Sequence, residues 1–396
     1  SAGGDEILLT YCSNVHPGET LEQIQQNIEQ TTVAVKKRLF TDQQMGLGLW
    51  LPRGALDELR GEKAMSAFRT FLERHGMYVF TLNAFPYSGF HGPRVKEAVF
   101  RPSWAEQSRL EYTRLSGEVL ADLLPAGVTG SISTVPLGHR AAGFRPQHEE
   151  AAAVNLRRLA VEFRRIEERT GRALVLGLEP EPTAALDTVR SAVEFLEGSV
   201  FQGRDDPSRR QLGICFDACH EAVLYQDLTE SLDQARRAGV RIAKIQVTSA
   251  LELVNPGAQR AALDRLRSFD EGRYYHQVVT KGADGSTRVF QDLDRFFQRW
   301  ECRDIGGDPS SLRTHFHVPV FAGSLDGLGT TQGELERFLR HAVAAGVTSH
   351  YEVETYTFGV IPEAERSRLG ADDLAQALTR ELEWTLERLA VPGQGR

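Results

Sequence analysis

The sequence predicts an α/β fold of the (β/α)8 TIM barrel class, on three observations. Eight short apolar runs recur along the 396 residues. Amphipathic stretches with a 3.6-residue period separate most of them. No G-x-G-x-x-G follows the first run, which weakens the dinucleotide-binding form of the open doubly wound alternative. Strands alternating with helices imply a parallel sheet, and eight such units fit a closed barrel.

In chain order the strand candidates are Ile7–Cys12, Leu47–Leu51, Tyr78–Asn83, Gly130–Val135, Ala173–Glu179, Leu212–Asp217, Ile242–Val247 and His350–Thr355. The helical patterns are Leu21–Leu39, Leu56–Arg74, Gln107–Leu124, Glu149–Glu168, Ala185–Leu196, Glu334–Ala345 and Asp372–Leu389. The interval between the seventh and eighth strands is too long for a simple crossover. It contains helical patterns at Gln259–Ser268 and Leu293–Trp300, and extended ones at Tyr274–Lys281, Thr287–Gln291 and Thr314–Phe321. Long intervals of this kind are usually functional. The expected organisation is one barrel domain over 1–396, with 249–330 an insertion that covers the C-terminal face. Ser1–Gly4 reads as a tag remnant, and the tail Val391–Arg396 as frayed.

Composition narrows the function. Hydrophobic residues make up 41% and charged residues 25%, an ordinary globular balance. No apolar run approaches the roughly 20 residues a membrane span requires. A net charge of −8 disfavours a nucleic-acid partner; the expected partner is a small-molecule substrate. Cys12, Cys215, Cys219 and Cys302 form no C-x-x-C pair, which predicts a reduced, cytoplasmic protein without a cysteine-rich zinc site.

In such barrels the chemistry sits where strands end. The fifth strand ends in Glu179-Pro180-Glu181-Pro182, two carboxylates on an exit stiffened by proline. The sixth ends in Asp217-Ala218-Cys219-His220, where Asp217 alternatively caps a helix. On the seventh, Lys244, Gln246 and Thr248 share a face. On the eighth, Glu354 lies nearest the exit, and Glu352, one layer deeper, is placed to pair with Lys244. The insertion carries His315-Phe316-His317, two imidazoles on one face of an extended segment, suited to one metal or one substrate. His16 follows the first strand; Asn83, Tyr87 and His91 follow the third. Aromatic and polar side chains together suit a sugar or cyclitol, with barrel-mouth packing as the alternative. Glu179, Asp217, Glu354 and the histidines form an oxygen and imidazole set fit for Mn²⁺, Mg²⁺, Zn²⁺ or Fe²⁺.

Glu at strand five, Asp-x-x-His at strand six and Glu at strand eight resemble the xylose-isomerase-like TIM barrel superfamily. More narrowly, Tyr11–Thr20, Phe80–His91, Gly130–Leu137, Leu178–Pro182 and Glu352–Thr357 resemble the metabolite traffic protein EboE family. The resemblance implies metal ligands at Glu179, Asp217 and Glu354. The fourth, usually a histidine, falls on Gln246, a weaker neutral donor; His220 and His317 are expected as further ligands, and His220, or His315 and His317, are the alternatives to Gln246. The expected activity is a metal-dependent isomerase, epimerase or dehydratase on a sugar- or cyclitol-like polyhydroxy carbonyl compound. In it Glu179 and Glu354 exchange protons, Lys244 stabilises negative charge, and His16, Asn83, Tyr87, His91 and His315 hold substrate. An endonuclease IV-like phosphoesterase and a non-catalytic metabolite binder are the alternatives.

Overall fold

The computed structural model describes residues 6–390. The parallel sheet consists of β1 (Leu8–Tyr11), β2 (Met45–Trp50), β3 (Met77–Asn83), β4 (Gly130–Thr134), β5 (Leu174–Leu178), β6 (Leu212–Asp217), β7 (Arg241–Val247) and, after the insertion, β14 (His350–Val353). Their order is β1-β14-β7-β6-β5-β4-β3-β2. A parallel bridge between Cys12 and Gly48 joins the two ends, and Gly48 N donates to Thr10 Oγ1 at 3.0 Å. This is the (β/α)8 TIM barrel of the sequence reading. Ser1–Gly4 and Val391–Arg396 lie outside the described residues.

The interior of this barrel is partly ionic. Lys244 and Glu352 pair on adjacent strands, both with fully buried side chains. Burial works to lower the Lys244 pKa, and the Glu352 charge outweighs it, so the ammonium is held charged. Gly48 makes room for the pair: a Cβ there would lie 1.9 Å from Glu352 Oε1. Below, Ser131 Oγ lies 2.8 Å from both Thr81 Oγ1 and His350 Nδ1.

Helices depart from the periodicity where local chemistry interrupts it. The stretch from Leu56 is two helices, Arg53–Leu59 and Glu62–Arg74, because Gly61 is extended and starts the second. The pattern from Ala185 becomes helical only at Val189, where Thr188 and Ser191 form a capping box. The helix from Leu21 runs to Leu39 through one π-turn at Ile28–Thr32.

The insertion forms a second, antiparallel sheet. Its strands are β8 (Ser249–Val254), β9 (Val278–Lys281), β10 (Thr287–Phe290), β11 (Ser311–Val318), β12 (Ser324–Leu325) and β13 (Leu328–Thr330), ordered β10-β9-β11-β8-β13-β12. The periodicity did not mark β8, which leaves the barrel after a single residue, Thr248. Leu251, Val278, Leu312 and Phe316 of this sheet belong to the same apolar core as the barrel. Between Thr314 and Val318 the β11 register against β8 shifts, a bulge that re-aims His315 and His317.

Candidate metal centre

Asp217 closes β6 and caps the helix Ala218–Val223. Its Oδ1 accepts from His220 N at 2.9 Å and from Thr248 Oγ1 at 2.7 Å. Its Oδ2 is buried without a partner and lies 3.9 Å from Nε2 of both His220 and His317. The helix-capping alternative for Asp217 holds through Oδ1, and Oδ2 is left over for a ligand.

The three imidazoles converge. His315 Nε2 is 3.1 Å from His220 Nε2 and 3.1 Å from His317 Nε2. Their Nδ1 atoms fix the tautomers. His220 Nδ1 donates to Pro180 O at 2.8 Å, and His317 Nδ1 to Glu354 O at 2.7 Å. His315 Nδ1 donates to Gln277 Oε1 at 2.6 Å. The Gln277 amide is itself oriented, because its Nε2 donates to Glu181 Oε1 at 3.1 Å and Pro182 O at 2.9 Å. Each ring's proton is therefore on Nδ1, and the Nε2 atoms face one another as lone pairs. Burial lowers the His317 pKa to about 4 and that of His315 well below its ordinary value, so these two rings stay neutral. Facing lone pairs at this distance repel unless a cation lies between them. Two nitrogens on a tetrahedral Zn²⁺ would be about 3.3 Å apart.

A carboxylate group adjoins this cluster through Asp217. Oxygens of Glu179, Asp217 and Glu354 all lie within 4.8 Å of one another. Glu354 Oε1 accepts from Asn14 Nδ2 at 2.6 Å and Asn83 Nδ2 at 3.0 Å, while Glu179 Oε2 is buried without a partner. Burial and then the neighbouring carboxylates push Glu354 up to about 8 and Glu179 well above the usual range. Like charges in a dry site do this, and a divalent cation would reverse it. The orphaned Oδ2 and Oε2 and the lone-pair arrangement fit a divalent metal, with further stabilisation from the backbone and Gln277 acceptors that orient the imidazoles.

These groups open on a narrow cavity of about 60 Å³. Strand exits and β11 supply its polar lining: Asn14, Asn83, Glu179, Glu181, Glu354, His220, His315 and His317. The loop after β3 supplies Phe85, Phe90, Val95, Val99 and Phe100, and the insertion supplies Tyr274 and Tyr275.

The structure thus brings together Glu179, Asp217, His220, His315, His317, Glu354 and Asn83. His315, expected on substrate, stands with its Nε2 between the other two imidazoles. Gln246 is fully buried in the barrel, with neither amide atom hydrogen-bonded. Four expectations are corrected by position. Lys244 does not line the cavity, because its ammonium is committed to Glu352 one layer down. His16 lies 3.0 Å from the Tyr11 hydroxyl, outside the cavity, and burial lowers its pKa to about 4. Tyr87 packs on Tyr112, with ring centroids 4.9 Å apart. His91 packs against Phe90 and Trp50. Gln277 escaped sequence reading: nothing in an extended segment marks one glutamine as the orienting partner of a histidine far along the chain.

A barrel with a buried imidazole and carboxylate centre is the class that fold and site define. Among solved structures the chain is similar to an IolI protein described with a bound zinc atom, at 13% identity over 97% of this chain and 98% of that one, with a TM-score of 0.46. It is similar to a D-tagatose 3-epimerase-like protein at 12% identity, over 97% and 100% of the two chains, with a TM-score of 0.47. A xylose isomerase domain protein from Alicyclobacillus acidocaldarius subsp. acidocaldarius matches at 13% identity, over 96% and 98%, with a TM-score of 0.46. No family model matches the chain, and no curated protein does. Among the described residues, no helix is long and apolar enough to cross a membrane.

Proposed function

We propose that this chain is a divalent-metal-dependent isomerase or epimerase, acting on the α-hydroxy carbonyl unit that sugar- and cyclitol-like compounds share. The observation that carries the reading is the meeting of three imidazole Nε2 atoms beside the unpartnered Asp217 Oδ2. Asp217, His220, His315 and His317 would hold the ion, with Glu179, Glu354 and Gln246 as the remaining donors. An imidazole-rich set suits Zn²⁺ or Fe²⁺ better than Mg²⁺. A divalent ion held there would supply Lewis-acid stabilisation of negative charge on the substrate's oxygens.

The chain's own groups do the rest. Glu179 and Glu354 face the reacting carbon from two strand exits; one removes its proton and the other returns one. Asn14 and Asn83 hold the Glu354 carboxylate in place. The insertion 249–330 covers the C-terminal face of a single barrel domain and keeps water from the reacting carbon. Motif resemblance alone supports membership of the EboE family and a role in a cytoplasmic metabolite pathway. Phosphoester cleavage is less supported, since the net charge is −8 and half the cavity lining is apolar.

Elemental analysis of protein purified without chelator tests the metal, with Asp217→Asn and His317→Ala as controls. One or more ions per chain, lost in both variants, is expected. For the reaction, incubation in D2O with a panel of α-hydroxy carbonyl compounds should place deuterium beside the carbonyl of those that turn over. A chain that takes up no Zn²⁺, Fe²⁺ or Mn²⁺ would overturn the proposal.

A further inference from the structure

Beside its imidazole and carboxylate groups the cavity has a wall of different character. Six residues of its wall, Phe90, Val95, Val99, Phe100, Tyr274 and Tyr275, present rings and branched carbons. The polar ends among them are turned away to protein partners. Tyr274 Oη donates to Phe90 O at 3.1 Å, and Tyr275 Oη donates to Glu97 Oε2 at 3.1 Å. The one cationic wall residue, Lys96, is ion-paired with Asp292 of the insertion. A hydroxyl facing these six residues would lose water and find no free partner among them, at a cost comparable to a lost hydrogen bond, and Tyr356 is the one further wall residue here that carries a hydroxyl. A flat apolar group would instead lie among rings that already pack edge to face, as Phe90 does with Tyr356 at 5.5 Å between centroids.

We infer that the substrate is an α-hydroxy carbonyl compound bearing an aryl body: an oxygen-bearing head at the metal ligands and a flat apolar ring between the loop after β3 and the insertion. This rests on the metal reading above, and narrows it away from a substrate hydroxylated along its whole length.

Hydroxamates provide the test, because every member of the series chelates a metal through the same two oxygens. Binding of acetohydroxamate, benzohydroxamate, hexanohydroxamate and threonohydroxamate to the metal-loaded protein would be measured by calorimetry. The expected result is that benzohydroxamate binds at least about tenfold more tightly than acetohydroxamate, from burial of the ring. Val99→Asn should erode that preference several-fold while leaving acetohydroxamate binding in place, which also reports that the variant is folded and loaded. Tightest binding of threonohydroxamate, a lead by hexanohydroxamate, or no preference at all overturns the aryl body. Failure of the metal reading is distinct: the protein would then take up no ion, and no hydroxamate would bind.

Discussion

Glu381 offers a stability test independent of the metal ligands. It lies on the helix Leu374–Leu389 with no exposure. Its Oε1 accepts from Thr355 Oγ1 at 2.6 Å and Val320 N at 3.1 Å, and its Oε2 has no partner. Burial pushes its pKa up to about 8, against which the two hydrogen bonds work only partly. The folded chain then holds a proton that the unfolded chain releases near 4.5, so stability falls as pH rises through that interval. At 1.36 kcal/mol per pH decade, the loss approaches about 3 kcal/mol by pH 7 and about 5 kcal/mol above pH 8. Glu381→Gln keeps an acceptor for both hydrogen bonds and carries no charge. Urea unfolding of both chains from pH 5 to pH 8.5 should show the variant gaining steadily on the parent, by several kcal/mol at the alkaline end. Taking the difference between the two chains cancels every other titrating group. Parallel curves, or a variant weaker at pH 8, would refute the argument.

Three further outcomes follow from contacts described above. Gly48→Ala places a carbon onto Glu352 Oε1 and should cost about 1–3 kcal/mol by urea unfolding. Lys244→Met strands the Glu352 charge in a dry barrel and should cost roughly 3–5 kcal/mol, and adding Glu352→Leu should recover much of it. Gln277→Leu removes the acceptor that orients His315, so Zn²⁺ affinity, measured against a chromophoric chelator, should fall roughly 10–100-fold.

The barrel was legible because a buried parallel strand must be an apolar run, and a covering helix must repeat every 3.6 residues. Strand ends then located Glu179, Asp217 and Glu354 without any knowledge of contacts. His-x-His on an extended segment was equally readable, since alternation fixes which residues share a face. Direction was not readable. The Lys244–Glu352 pair follows from their shared layer on neighbouring strands, but that the pair leaves no ammonium for the cavity depends on geometry more than a hundred residues apart in the chain. His16, Tyr87 and His91 stand near strand exits in sequence, yet local aromatic packing turns them from the cavity. Gln277 and the β11 bulge are tertiary facts, settled by the pairing of strands within the insertion.

The imidazole cluster draws on two distant parts of the chain: His220 beside the barrel, and His315 and His317 in the second sheet. His220 and His315 are 95 positions apart. An ion held by both would be a removable cross-link that closes this loop, and it would favour the insertion packed on the barrel. Above its dissociation constant, each tenfold rise in free ion adds about 1.4 kcal/mol to the docked form. A chelator would then act as a mechanical release. Protease sites in the insertion should become cleavable before those of the barrel, and the order of digestion would report metal occupancy without any substrate.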